Sequence, residues 1–197
     1  MLLKHTNEKL VPHELRLALV TVLTLGIVAL GGALAQDHQR GASATDLAAV
    51  QPTMTELFEL RQMLAEFEDV EAAKAAGYEQ FGECMSGPQG SQGIHFTKGS
   101  LIENPTLDVM QPEALMYEPR PDGSLRLIGL EYIVFQDAWH GAGNEAAPAL
   151  LGQEFVLNTT LLDDPFYALH VWVWQHNPLG LFANWNPLVG CPDSGSQ

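Results

Sequence analysis

The spacing of apolar residues changes twice along the chain. Leu57, Leu60, Leu64 and Phe67 recur every three or four positions, with Glu59, Arg61 and Glu66 between them. That spacing predicts an amphipathic helix with one buried face. Thr53 and Glu56 have the spacing of a capping box at its start. Asp69 is placed to cap a second stretch over residues 70–76, which Gly77 would end in a left-handed turn. Over residues 82–93, Gly, Ser and Pro break any regular pattern. Beyond them the period falls to two. Residues 93–98, 114–118, 124–135 and 166–176 read as strands, and Pro121-Asp122-Gly123 reads as the turn that makes the second and third a hairpin. Residues 137–153 look like an excursion, and Asn177-Pro178-Leu179-Gly180 a turn.

Two of these strands are apolar on both faces. In the first, Leu127, Gly129, Glu131, Ile133 and Phe135 alternate with Ile128, Leu130, Tyr132 and Val134. In the second, Tyr167, Leu169, Val171 and Val173 alternate with Ala168, His170, Trp172 and Trp174. Strands of this kind are central and covered on both sides. The expected fold class is α+β, with N-terminal amphipathic helices packed on a central antiparallel sheet of about four to five strands. Loops or a curl of the sheet would cover the far face.

The first residues follow a different logic. Lys4, Lys9 and Arg16 precede an uncharged apolar run over residues 17–34, closed by Ala33-Leu34-Ala35. This is the layout of a signal peptide over residues 1–35, cleaved after Ala35. An uncleaved membrane anchor is the alternative, because a run of about eighteen apolar residues is just long enough to span a bilayer. Residues 36–52 read as a flexible linker and residues 53–197 as one α+β domain. Both alternatives put that domain outside the cytoplasm, either secreted or in the periplasm or cell envelope.

Charge and cysteine content narrow the possible partners. The net charge of −15 disfavours nucleic acid and anionic lipid, so membrane contact is expected only if the N-terminal segment stays uncleaved. In an oxidising compartment the two cysteines, Cys84 and Cys191, are expected to form a disulfide. The rival use, as thiolate metal ligands, has no CxxC spacing to support it.

A charged side chain inside a doubly covered strand needs a partner, because an unpaired buried carboxylate costs several kcal/mol. Glu131 is such a residue, and His170 holds the equivalent place in its own strand. His95 sits on a short strand beside a Gly-rich stretch, where close backbone approach would admit a ligand. Two histidines and a glutamate from neighbouring strands are the ligand set of a mononuclear site with open positions, suited to Zn, Fe, Mn or Cu. A structural pairing inside the core and a metal-free acid/base pair are the alternatives. Further site candidates are Glu113, one of two glutamates five apart on a strand, and His140, on the excursion as a fourth ligand or gate. Trp172 and Trp174, expected on His170's face, would either wall the site or pack the core. No GxSxG and no phosphate-binding loop is present, so serine-hydrolase and nucleotide chemistries have no support.

The segments Gly93-Ile94-His95-Phe96, Pro112-Glu113-Ala114-Leu115-Met116-Tyr117-Glu118-Pro119, Leu130-Glu131-Tyr132 and residues 167–174, continuing through Asn177-Pro178 and Asn186-Pro187 to Cys191, resemble a family of small exported bacterial proteins without an assigned activity. The resemblance covers residues 69–191 and implies export and a shared fold, but no reaction. His95, Glu131 and His170 each fall within its segments. Where the family has Met-Gly before the first histidine, this chain has Gln92-Gly93.

The leading expectation is an exported metal-binding protein carrying one divalent transition metal on His95, Glu131 and His170. As an enzyme it would act on a small molecule or a saccharide. The alternatives are a metal-free envelope module that holds a ligand against its tryptophans, and a structural envelope protein.

Overall fold

A computed structural model of the chain describes residues 52–192. The signal or anchor segment expected over residues 1–35, and all but the last residue of the linker expected over 36–52, lie outside the described residues.

Helix α1 (Met54–Met63) starts at the expected capping box: the Thr53 hydroxyl accepts from the Glu56 N–H, and the Glu56 carboxylate accepts from the Thr53 N–H. A 3-10 turn (Ala65–Glu68) follows, then helix α2 (Val70–Ala75), capped by the Asp69 side chain and ended by Gly77 at φ +93°. Strands β1 (Glu79–Gly87) and β2 (Gly90–Thr97) form a hairpin. A short helix α3 (Gly99–Ile102) leads towards β3 (Ala114–Pro119) and β4 (Leu125–Phe135), whose hairpin turns at Pro121-Asp122-Gly123 as expected. Helix α4 (Gln136–Gly141), a small hairpin of β5 (Ala149–Leu150) and β6 (Gln153–Glu154), and β7 (Val156–Asn158) precede β8 (Phe166–Val171).

The principal sheet is antiparallel throughout, in the order β1-β2-β3-β4-β8-β7. Six strands therefore stand where four to five were expected. Strand β1 lies in the stretch read as irregular. It is an exposed edge strand interrupted by two register shifts, so it carries no alternation to read. Strand β8 ends at Val171, five residues earlier than expected.

One face of the sheet is sealed. Leu60, Leu64 and Phe67 from the helical segment pack on Phe96, Leu115, Tyr117, Leu127 and Leu130. The Tyr117 hydroxyl donates to the Phe67 carbonyl at 2.6 Å, tying the helical layer to β3. Further along the same face Tyr132, Val134, Leu169 and Val171 pack with Phe155 and Tyr167. A register shift between Met116 and Tyr117 changes the expected alternation of β4. Leu127 joins the helical layer, while Ile128 turns to Met116, Trp172 and Val189. An extra residue in one strand has this effect, because the side-chain period of a strand is two.

Cys84 and Cys191 form a disulfide between β1 and the C-terminal segment. The segment is also pinned by paired backbone hydrogen bonds between Ser91 and Asn186, both 3.1 Å, and by the Gly190 N–H on the Glu118 carboxylate at 3.0 Å. Among the described residues no helix is long and apolar enough to cross a membrane.

Candidate metal centre

The second face of the sheet is hollow. Its floor carries His95, Thr97, Glu131, Ile133, Phe135, Phe166, Ala168 and His170, and a cavity of about 610 Å³ stands over them. Strand register explains why the three ionisable residues meet. Glu131 on β4 and His170 on β8 are direct cross-strand partners, so their side chains leave the same face side by side. His95 on β2 is two strands away from Glu131, with β3 between them. The contact is diagonal: on β3, Met116 stands opposite His95 and the fully buried Ala114 stands opposite Glu131. Strands two apart are separated by roughly 9–10 Å, a gap that two long side chains can bridge, and Ala114 beside Glu131 adds no bulk to it.

The His95 Nε2 lies 3.3 Å from Glu131 Oε2, and the His170 Nε2 lies 3.4 Å from Glu131 Oε1. One donor atom from each residue falls within 4.8 Å of the others, and all three residues are buried. The His170 Nε2 and both Nδ1 atoms have no hydrogen-bond partner in good geometry, although the Asn184 side chain lies close enough to His170 to act on its ring. Two proton arrangements suit such a cluster: an imidazolium against a carboxylate, or a neutral acid among neutral imidazoles. Burial decides for the second. It raises the Glu131 carboxyl to about 8, with nearby Glu113 adding to the rise. It lowers His95 to about 4 and His170 to about 3, the latter helped by the neighbouring His95 while Asn184 works the other way. The contact lengths agree, since charge-assisted N–H to carboxylate bonds close to about 2.7–2.9 Å.

A group of two neutral imidazoles and one displaceable proton, with donors just over 3 Å apart, can hold a metal ion at bond lengths of about 2.0–2.2 Å. Two histidines and one carboxylate would leave coordination positions open, and all three residues line the cavity.

The other candidates stand elsewhere. Glu113 is buried, but its Oε2 accepts the Ile133 N–H at 3.0 Å. It completes the ladder where β3 begins, and burial lifts its carboxyl to about 7. His140 is bound between the Asn144 carbonyl at 2.7 Å and the Tyr167 hydroxyl at 3.1 Å, and Tyr167 belongs to the sealed-face core. Trp172 packs on Met116 and Ile128 and donates to the Ala183 carbonyl at 2.6 Å. Trp174, expected on His170's face, instead reaches the helical layer and donates to the Glu68 carboxylate at 2.9 Å. The difference follows from the early end of β8, beyond which alternation no longer applies.

The tryptophan at the cavity is Trp185, from the C-terminal segment. Its ring packs so closely on β1 that a Cβ at Gly87 would fall 2.8 Å from it, so only glycine fits there. The close approach expected near His95 is also real, but it is between backbones: a Cβ at Gly93 would lie 2.4 Å from the Tyr117 carbonyl oxygen. Sequence reasoning did not identify the walls formed by Phe81, Val156, Leu157, Leu161 and Leu162. Their only signal is the apolar character of short segments that lack periodicity.

No family model, no curated protein and no solved structure matches this chain.

Proposed function

We propose that this is an exported metal protein in which His95, Glu131 and His170 hold one divalent transition metal, from among zinc, iron, manganese and copper, at the floor of a small-molecule cavity. The supporting observation is the convergence of the two Nε2 atoms on the two oxygens of one buried glutamate, with the His170 Nε2 left unpartnered. A purely structural polar core would be expected to satisfy its ring nitrogens, because a buried polar atom without a partner costs about 1–3 kcal/mol. A metal held on the Nε2 atoms would supply the partner that the His170 Nε2 lacks. Held this way, with positions open to the cavity, it would polarise a carbonyl or a water of a bound molecule. Location outside the cytoplasm is supported by the Cys84–Cys191 disulfide, by the signal-like first residues and by the resemblance to exported bacterial proteins. A tryptophan platform is the weaker basis for function, because Trp185 alone of the four tryptophans lines the cavity, while Trp139, Trp172 and Trp174 each donate to a carbonyl or carboxylate elsewhere.

The test is the metal content of the purified protein by mass spectrometry, with melting measured before and after chelation. We expect one equivalent of metal in the wild type, a melting point lowered by chelator, and neither property in His170→Ala. A wild type that retains no stoichiometric metal after exposure to all four ions, and whose melting ignores chelator, would refute the proposal.

A further inference from the structure

The cavity walls and its charge restrict what the centre can accept. Phe81, Met85, Ile102, Leu162 and Phe166 line the interior with hydrocarbon. Phe81, Val156, Leu157 and Leu161, which also line the cavity, are among the large apolar side chains exposed to solvent, at 39–52 %. The mouth is therefore apolar as well as the interior. Some of the polar lining groups are committed: the Asn158 side-chain oxygen accepts the N–H groups of Thr160 and Leu161, both at 3.0 Å, and the Gln92 amide donates to the Asn184 backbone carbonyl at 2.8 Å, while the side chains of Thr97, Thr159 and Asn184 also line the cavity. Hydrocarbon still makes up most of the wall, so a saccharide would turn most of its hydroxyls towards carbon, each at a desolvation cost.

Among the described residues, the only ionisable ones lining the cavity are His95, Glu131 and His170. Glu113, the carboxyl that acts on Glu131, is held on the Ile133 N–H and does not line the cavity. A divalent ion bound by two neutral imidazoles and one carboxylate has a net charge of +1, and no lining side chain compensates it. A buried uncompensated charge is expensive, so the open position favours an anion.

On these grounds we infer that the centre binds an apolar monocarboxylate: an acyl chain lying along the hydrocarbon walls, with its carboxylate head on the metal. This narrows the small molecule of the proposed function and rests on that reading. The volume agrees, since cavities of roughly 300–1,000 Å³ are the usual size for ligands of a few hundred daltons.

The test uses the protein loaded with Co²⁺, whose visible absorption reports its ligands, titrated with dodecanoate, dodecanol, acetate and maltose. Dodecanoate is expected to change the cobalt spectrum at a concentration about a hundredfold below that needed for acetate, because the tail adds buried apolar area. Dodecanol is expected to leave the spectrum unmoved and maltose not to bind. Leu157→Asp, at the mouth, is expected to keep Co²⁺ and the acetate response but to weaken dodecanoate about tenfold or more. Cobalt uptake with dodecanoate no better than acetate, or a dodecanoate response untouched by Leu157→Asp, would overturn the ligand class and leave the metal centre standing. Failure to take up cobalt at all would overturn the metal reading, and this inference with it.

Discussion

Metal affinity should rise with pH by about tenfold per unit up to pH 8 and then level off. In the metal-free protein Glu131 keeps its proton until about pH 8, whereas both histidines are already neutral above about pH 4. A metal needs the carboxylate, so binding in this window releases one proton. One released proton corresponds to one logarithmic unit of affinity per pH unit, or about 1.4 kcal/mol. Between pH 6.5 and 8, where half the carboxyl groups are ionised, the gain is therefore about sixteenfold, or roughly 1.6 kcal/mol. The same displacement sets the sign for stability. In the metal-free protein the folded carboxyl of Glu131 titrates above its unfolded value, so its contribution is full below about pH 4.5 and is lost as pH climbs towards 8. The histidines act oppositely: their folded values are depressed, and stability falls as pH drops below about 6.5 towards 4 and 3. Zinc titrations against a chromophoric competitor at pH 6, 7, 8 and 9 measure the affinity slope. Calorimetry in buffers of different ionisation enthalpy counts the proton, with one released at pH 6.5 and almost none at pH 9. Glu131→Gln should abolish the slope. An affinity flat between pH 6 and 8, or no proton release, would show that Glu131 is ionised without metal and refute the reasoning.

Three further outcomes follow from the fold. Ala114→Leu should cost about 1–3 kcal/mol by overpacking a fully buried position and should also weaken metal uptake, because the added carbons crowd its cross-strand neighbour Glu131; denaturant melts with metal analysis check both. Glu113→Ala should destabilise the protein by about 1–3 kcal/mol by orphaning the Ile133 N–H, whereas Glu113→Gln, which keeps an acceptor, should cost less and leave metal stoichiometry intact. Cys84→Ser should lower stability in urea by about 2–4 kcal/mol, with reduced wild type matching the variant.

Much of the site was legible because a buried charge within an apolar alternation is conspicuous. Glu131 and His170 stand out for that reason, and their face follows from period two alone. The capping box at Thr53, the cap at Asp69 and the turn at residues 121–123 were legible because each depends on chemistry within a few residues. What escaped depends on distant partners. Strand β1 has glycines and exposed positions, and its place is set by β2 and by the tail joined at Cys191. Strands β5, β6 and β7 are two or three residues long, too short to show a period. The exchange of Leu127 and Ile128 arises from a register shift against β3, and Trp174 moves away because β8 stops early. None of these can be read from the spacing of one segment.

The sealed and hollow faces of the sheet divide two tasks between alternate residues of the same strand. Along β4, Leu130, Tyr132 and Val134 lie in the packed core, while Glu131 and Ile133 face the cavity. Substitutions on the first set are paid for in folding free energy; substitutions at Ile133 or Phe135 chiefly alter the shape of the void. Ligand preference in such a scaffold can drift while the fold endures, so relatives that keep the sealed face could diverge widely in what they hold.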